Sequence, residues 1–174
     1  MKGEQTLKQK KENYRMAVLI CITIVALGVA LWALCVRKPE KVLAPDYAPE
    51  TEANAETMET EEKLPQPEGG GAVSLMYSTE VSLSLENQTA ALLFANPSRS
   101  NQAMVVQIVI QDVVIAQSGL LEPGNQVTSL EVPDTSMLQP GTYDGTFLVS
   151  YYQPESGERA MINTEVPIQI QVEQ

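Results

Sequence analysis

The chain has 174 residues, with 11 basic and 22 acidic side chains and no histidine, for a formal charge of −11. The missing histidine excludes a His-containing catalytic triad and zinc sites of the Cys/His type. Both cysteines, Cys21 and Cys35, lie in or at the edge of one greasy run, so the rest of the chain has no disulfide and no thiol nucleophile.

Residues 1–15 form a basic tail with five Lys/Arg against two acidic residues. Met16 to Val36, MAVLICITIVALGVALWALCV, then runs for 21 residues without a charge. At about 1.5 Å per residue this is roughly 31 Å of helix, close to the hydrocarbon thickness of a bilayer. A buried globular helix of that length would show a polar stripe, and here only Thr23 breaks the run. Trp32 falls near the far end, where interfacial aromatics are favoured, and charged residues stop the run. The pattern predicts a single membrane-spanning signal anchor over 16–36, flanked by Lys10, Lys11 and Arg15 before it and by Arg37 and Lys38 after it. A cleaved signal peptide would end near Gly28 to Ala30, yet the greasy run continues past that point. A lipoprotein would need a small residue before Cys35, where Leu34 stands. The larger basic cluster before the run predicts a cytoplasmic N-terminus and an extracytoplasmic remainder.

Residues 37–72 are rich in Pro, Glu, Thr and Ala and show no hydrophobic period. Between 42 and 68, Lys63 stands alone against eight acidic residues. Such a segment buries too little apolar surface to offset its ordering entropy, and a disordered acidic linker is expected. As a coil, the 34 residues from Pro39 to Ala72 would span about 30 Å root-mean-square and about 110 Å at full extension.

From Val73 the period changes to two. Val81, Leu83 and Leu85 alternate with Ser82, Ser84 and Glu86, which predicts a half-buried strand. Thr89–Ala95, Ala103–Ile110, Val113–Gln117 and Val127–Val132 read as further strands, with a tight turn at Gln111-Asp112. In the sixth, Tyr143, Phe147, Val149 and Tyr151 share the core face, and Tyr152 is assigned with Asp144, Thr146 and Ser150 to the exterior. Pro154 to Gly157 form a hairpin loop, and Val166, Ile168, Ile170 and Val172 face one way in the returning strand. Pro167 cannot donate to a ladder, so this strand should be at an edge or bulged there. Seven short strands without a helix signal predict an all-β fold, a single sandwich over 73–174.

The stretch LQPGTY, with Leu138, Pro140, Gly141 and Tyr143, resembles the corner before the sixth strand of fibronectin type III and related immunoglobulin-like domains. The resemblance implies that Leu138 packs into the core, Pro140-Gly141 turns the chain and the Tyr143 hydroxyl bonds to upstream backbone around Pro133 to Leu138. Residues 73–174 lack a core Trp, and the Leu-to-Tyr spacing is one residue short, so the implied fold is a seven-stranded immunoglobulin-like sandwich rather than a type III domain.

Catalysis requires convergent groups, and no histidine or lysine accompanies the scattered Ser, Asp and Glu of the module. Asp134 and Asp144 flank the corner as a candidate pair for a hard cation, without an Asp-rich calcium loop around them. Two arginines, Arg99 and Arg159, against eleven acidic residues from Val73 onward repel phosphate backbones, which excludes nucleic acid as a partner. The sequence therefore predicts a protein that is not an enzyme, has no cofactor and takes no small-molecule substrate. Its partners would be the membrane and other envelope proteins. It would act as a membrane-anchored binding or assembly module, such as an accessory subunit of a secretion or conjugation apparatus. The alternative is a surface adhesin for an external protein or glycan.

Overall fold

The computed structural model describes residues 16, 18, 20, 22–29, 43–66, 68 and 70–174. The chain divides into two compact units, Met1–Pro39 and Glu40–Gln174. In the first, residues 22–29 are helical, and the Thr23 hydroxyl donates to the Ile20 carbonyl at 2.8 Å. Among the described residues no helix is long and apolar enough to cross a membrane. The rest of the expected span (17, 19, 21 and 30–36) and its flanks Lys10, Lys11, Arg15, Arg37 and Lys38 lie outside the described residues.

The second unit is built of strands: β1 (Glu56–Thr57), β2 (Met76–Tyr77), β3 (Glu80–Ser84), β4 (Thr89–Asn96), β5 (Ala103–Ile110), β6 (Val113–Gln117), β7 (Asn125–Glu131), β8 (Gly141–Tyr152) and β9 (Arg159–Glu173). The expected count of seven is therefore corrected to nine among the described residues. Strands β3 to β9 stand where the alternation puts them. The two additions, β1 and β2, are two-residue pieces too short to carry a period.

The strands form one curled mixed sheet in the order β1-β7-β4-β3-β9-β8-β5-β6, with β2 added to β4. Every pairing is antiparallel except β3 with β9, which is parallel over Glu80–Ser84 and Gln169–Glu173. The curl brings one half of the sheet over the other. Val81, Leu83, Phe94, Val127 and Leu130 from β3, β4 and β7 share a core with Met104, Val106, Ile108, Phe147, Val149 and Ile170 from β5, β8 and β9. Across it Phe94 and Phe147 meet edge to face, with ring centres 5.5 Å apart and planes at 72°, a geometry that satisfies both ring quadrupoles. The turn between β5 and β6 has φ of 50° at Gln111 and 65° at Asp112, the two positive values that a two-residue hairpin of primed type needs.

The structure departs from the expected linker most. Residues 44–64 are not a free tether but a strap sewn along the module. Ala48 N–H donates to the Gly157 carbonyl and Arg159 N–H to the Asp46 carbonyl, both at 2.8 Å. Farther on, Leu120 N–H donates to the Glu50 carbonyl and Met58 N–H to the Gly124 carbonyl, β1 pairs β7, and the Lys63 ammonium donates to the Ser100 carbonyl at 2.7 Å. Composition failed here because the strap borrows its apolar partners: Ala44 and Ala48 pack with Ala103, Val105, Leu120 and Tyr152 in a second, smaller cluster.

That cluster also overturns the exterior assignment of Tyr152. Its side chain does lie opposite the core-facing set, but the strap covers it, leaving it 1% exposed with its hydroxyl donating to the Pro45 carbonyl at 2.8 Å. Tyr152→Ala is accordingly expected to cost about 3–5 kcal/mol in chemical denaturation, as a buried aromatic does. Trypsin acting on the folded chain should spare Lys63, whose ammonium is held by the Ser100 carbonyl, and mass spectrometry of the first fragments checks this. Gly119→Ala should release the strap and make Lys63 cleavable, because a Cβ there would lie 2.8 Å from the Glu50 carbonyl oxygen and the Glu52 backbone nitrogen.

Candidate functional site

The corner forms as the LQPGTY stretch implies, with one shift. Leu138 is buried, Pro140 is exposed, and Tyr143 is half-buried against the main core. The Tyr143 hydroxyl donates to the Gln139 carbonyl and accepts from the Gln139 N–H, each at 3.0 Å. Its partner is thus Gln139, one residue beyond the expected Pro133 to Leu138. Gly141 has φ of +152°, a backbone state that side-chain-bearing residues rarely adopt.

The Asp134 carboxylate accepts from the Ser136 N–H at 2.8 Å, and Ser136, through its side chain and then its N–H, holds Asp134 below the usual carboxylate range. Among the described residues no group of three or more Asp, Glu, Cys or His could hold a metal ion.

The surface that stands out is the side of β9 away from β8. This strand has 15 residues, but β3 has five and covers only its last third. At the other end Arg159 is held by the strap, with its guanidinium 2.8 Å from the Asp46 carboxylate. Between these two attachments residues 163–167 pair with residues 146–150 of β8, and the register shifts across 160–162. Gln169 N–H donates to the Thr79 carbonyl at 2.8 Å. By strand alternation the backbone groups of 163, 165 and 167 face the same side. β9 lies between β3 and β8 rather than at the edge of the sheet, and Pro167, which has no donor to give, stands just ahead of the β3 pairing that begins at Gln169.

Across the register shift Met161 and Ile162 are 103% and 74% exposed. Tyr151, opposite them, is tied into the core and shares a 2.7 Å hydrogen bond with Thr164. A shallow notch of about 360 Å³ farther along β9 is lined by Glu80, Asp144, Pro167 and Gln169 among others. The shift was missed in the sequence because alternating burial in β9 starts only at Val166. The signal that could have found it is the uncharged stretch AMINT, Ala160 to Thr164, ahead of that alternation.

No protein-family model and no curated protein sequence matches the chain. Among solved structures it is similar to AggA, the major subunit of aggregative adherence fimbriae type I from Escherichia coli. The identity is 11% and the TM-score 0.30, over 65% of this chain and 100% of that one. At that distance the likeness carries no functional assignment.

Removing the corner hydroxyl in Tyr143→Phe is expected to cost about 1 kcal/mol in urea denaturation, the net worth of a hydrogen bond. Gly141→Ala should cost about 1–3 kcal/mol through backbone strain alone, since a Cβ there would meet nothing within 4 Å. Burial holds both Tyr151 and Tyr152 above the ordinary tyrosine range. Thr164 opposes this at Tyr151; at Tyr152 Arg159 opposes it and Asp46 adds to it. For an acid whose pKa rises on folding, stability is complete below the unfolded pKa of about 10 and is lost as pH climbs through the folded value. Denaturation midpoints should therefore fall above pH 10, and less steeply in a Tyr151→Phe variant.

Proposed function

We propose that the chain is a non-catalytic binding or assembly module, an immunoglobulin-like sandwich held close to the outer face of a membrane by its N-terminal greasy run. One observation carries this reading over the adhesin: the strap. With residues 44–64 laid along the module, seven residues, 37–43, separate the end of the greasy run from the first strapped residue. At most about 3.6 Å per residue, they reach roughly 25 Å rather than the 110 Å or so of a free tether. A module on so short a lead meets partners in or beside the same membrane, whereas an adhesin has to reach past the surface layer. The basic excess before Met16 supports an N-terminus on the cytoplasmic side.

Trypsin added to intact, wall-stripped cells tests the placement. It should release the module with Lys63 uncut. A module that stays protected until the membrane is broken would overturn the reading, and cleavage at Lys63 would restore the long tether.

A further inference from the structure

We propose that one end of the sandwich, marked by Leu43, Tyr47, Met161 and Ile162, rests on a lipid surface and sets these side chains among the headgroups. The inference rests on the reading of the greasy run as an anchor and names the face that meets the bilayer.

Two local events build the patch. Opposite Tyr151 the ladder between β8 and β9 loses its register: Ala160, Met161 and Ile162 all fall between the Tyr152–Arg159 and Ser150–Asn163 pairs. One residue of β8 cannot match three of β9, so the surplus is thrown outward as in a bulge. Met161 and Ile162 are, among the described residues, the most exposed large hydrophobics of the second unit. The strap then brings two more to the same end. Tyr47 bridges to Glu158, Ala48 N–H donates to the Gly157 carbonyl, and Arg159 N–H donates to the Asp46 carbonyl. Leu43 precedes Ala44, which packs in one cluster with Tyr152. Leu43 and Tyr47 are both exposed. Single exposed apolar side chains are ordinary, but four gathered at one end of a domain mark a contact. Met137, by contrast, is exposed in the loop ahead of β8. The 12 residues of that strand put the loop about 36 Å from the patch.

Where the lead attaches selects the occupant. It joins the module at Leu43 and Ala44, within the patch, seven residues (37–43) after the greasy run ends. At most about 3.6 Å per residue, this holds the patch within roughly 25 Å of the point where the chain leaves the bilayer. So short a lead keeps the local concentration of lipid around the patch high. Side-chain chemistry agrees. Tyrosine is favoured at the headgroup level, and aliphatic side chains of a surface-lying element sink about 5–10 Å toward the acyl boundary. Asp46, Glu155 and Glu158 beside the patch repel anionic lipid, so apolar burial and not charge holds the contact.

The experiment places the full chain in phosphatidylcholine nanodiscs that carry a nitroxide-labelled lipid, with a fluorophore on one introduced cysteine. Cys21→Ala and Cys35→Ala remove the native thiols. A fluorophore at Ile162→Cys should lose about half its emission or more, because the patch sits within about 10 Å of the acyl boundary. One at Met137→Cys should lose little. Quenching at 162 should survive high salt, which screens charge but not apolar contact. Tyr47→Ser combined with Met161→Ser should abolish most of it with little change in the melting midpoint, since both side chains are exposed. Equal quenching at 137 and 162, or none at 162, would overturn the assignment. So would quenching that high salt removes, or that the serine substitutions leave unchanged. A chain that fails to enter the disc overturns the anchor and this contact with it. A chain that enters without quenching at 162 removes the contact alone and gives the patch to a protein partner.

Discussion

Strand β3 has to serve two partners at once, and it is short. It pairs antiparallel with β4 and parallel with β9, and this double pairing joins the two halves of the sheet and brings Phe94 over Phe147. Val81 and Leu83 must point into the core wherever β3 lies, because a one-residue slip would turn both outward. With the register so fixed, five residues cannot cover fifteen. The end of the β3 pairing at Gln169, the place of Pro167 just ahead of it and the acidic notch at Glu80 all follow from that mismatch in length.

The strap is the second constraint. The outer face of a sandwich ordinarily alternates polar residues toward water, yet β5 and the end of β8 read as buried on both faces, with Ala103, Val105 and Tyr152 turned away from the main core. These residues need a cover, and the segment from Ala44 to Ala48 provides it. The hydrogen bonds from Tyr152 to Pro45 and from Arg159 to Asp46 fix where that cover starts.

What the sequence revealed follows from how local each signal is. The seven longer strands each carry several residues of alternation, and the corner carries Pro140, Gly141 and Tyr143 within six residues, so both could be read directly. The strap could not. Its acidic, proline-bearing composition matches that of chains without structure, and its ordering comes from bonds to residues about forty to more than a hundred positions away, such as Lys63 to Ser100 and Arg159 to Asp46. Tyr152 was misassigned for the same reason: its face was right, and what lay over that face was not local. The length of β9 that β3 covers needed one more non-local fact, the point where the chain ahead of β3 pairs with β4 instead.

The strap also decides how the module answers to load. A pull applied through the residues before Ala44 acts on the bonds of the strap one after another, beginning with those around Pro45 and Asp46, so they are peeled in turn rather than sheared together. The sandwich behind them is held by long ladders that share force along their length, as β8 and β9 do from Gly141–Val172 to Tyr152–Arg159. Tension along the lead therefore lengthens it in small steps, each strap residue freed adding about 3.5 Å of reach. Once Ala44 and Ala48 lift away, Tyr152 comes into contact with water while the main core stays closed. The same segment thus lies along the module until the residues ahead of it are pulled, and adds reach as it comes away.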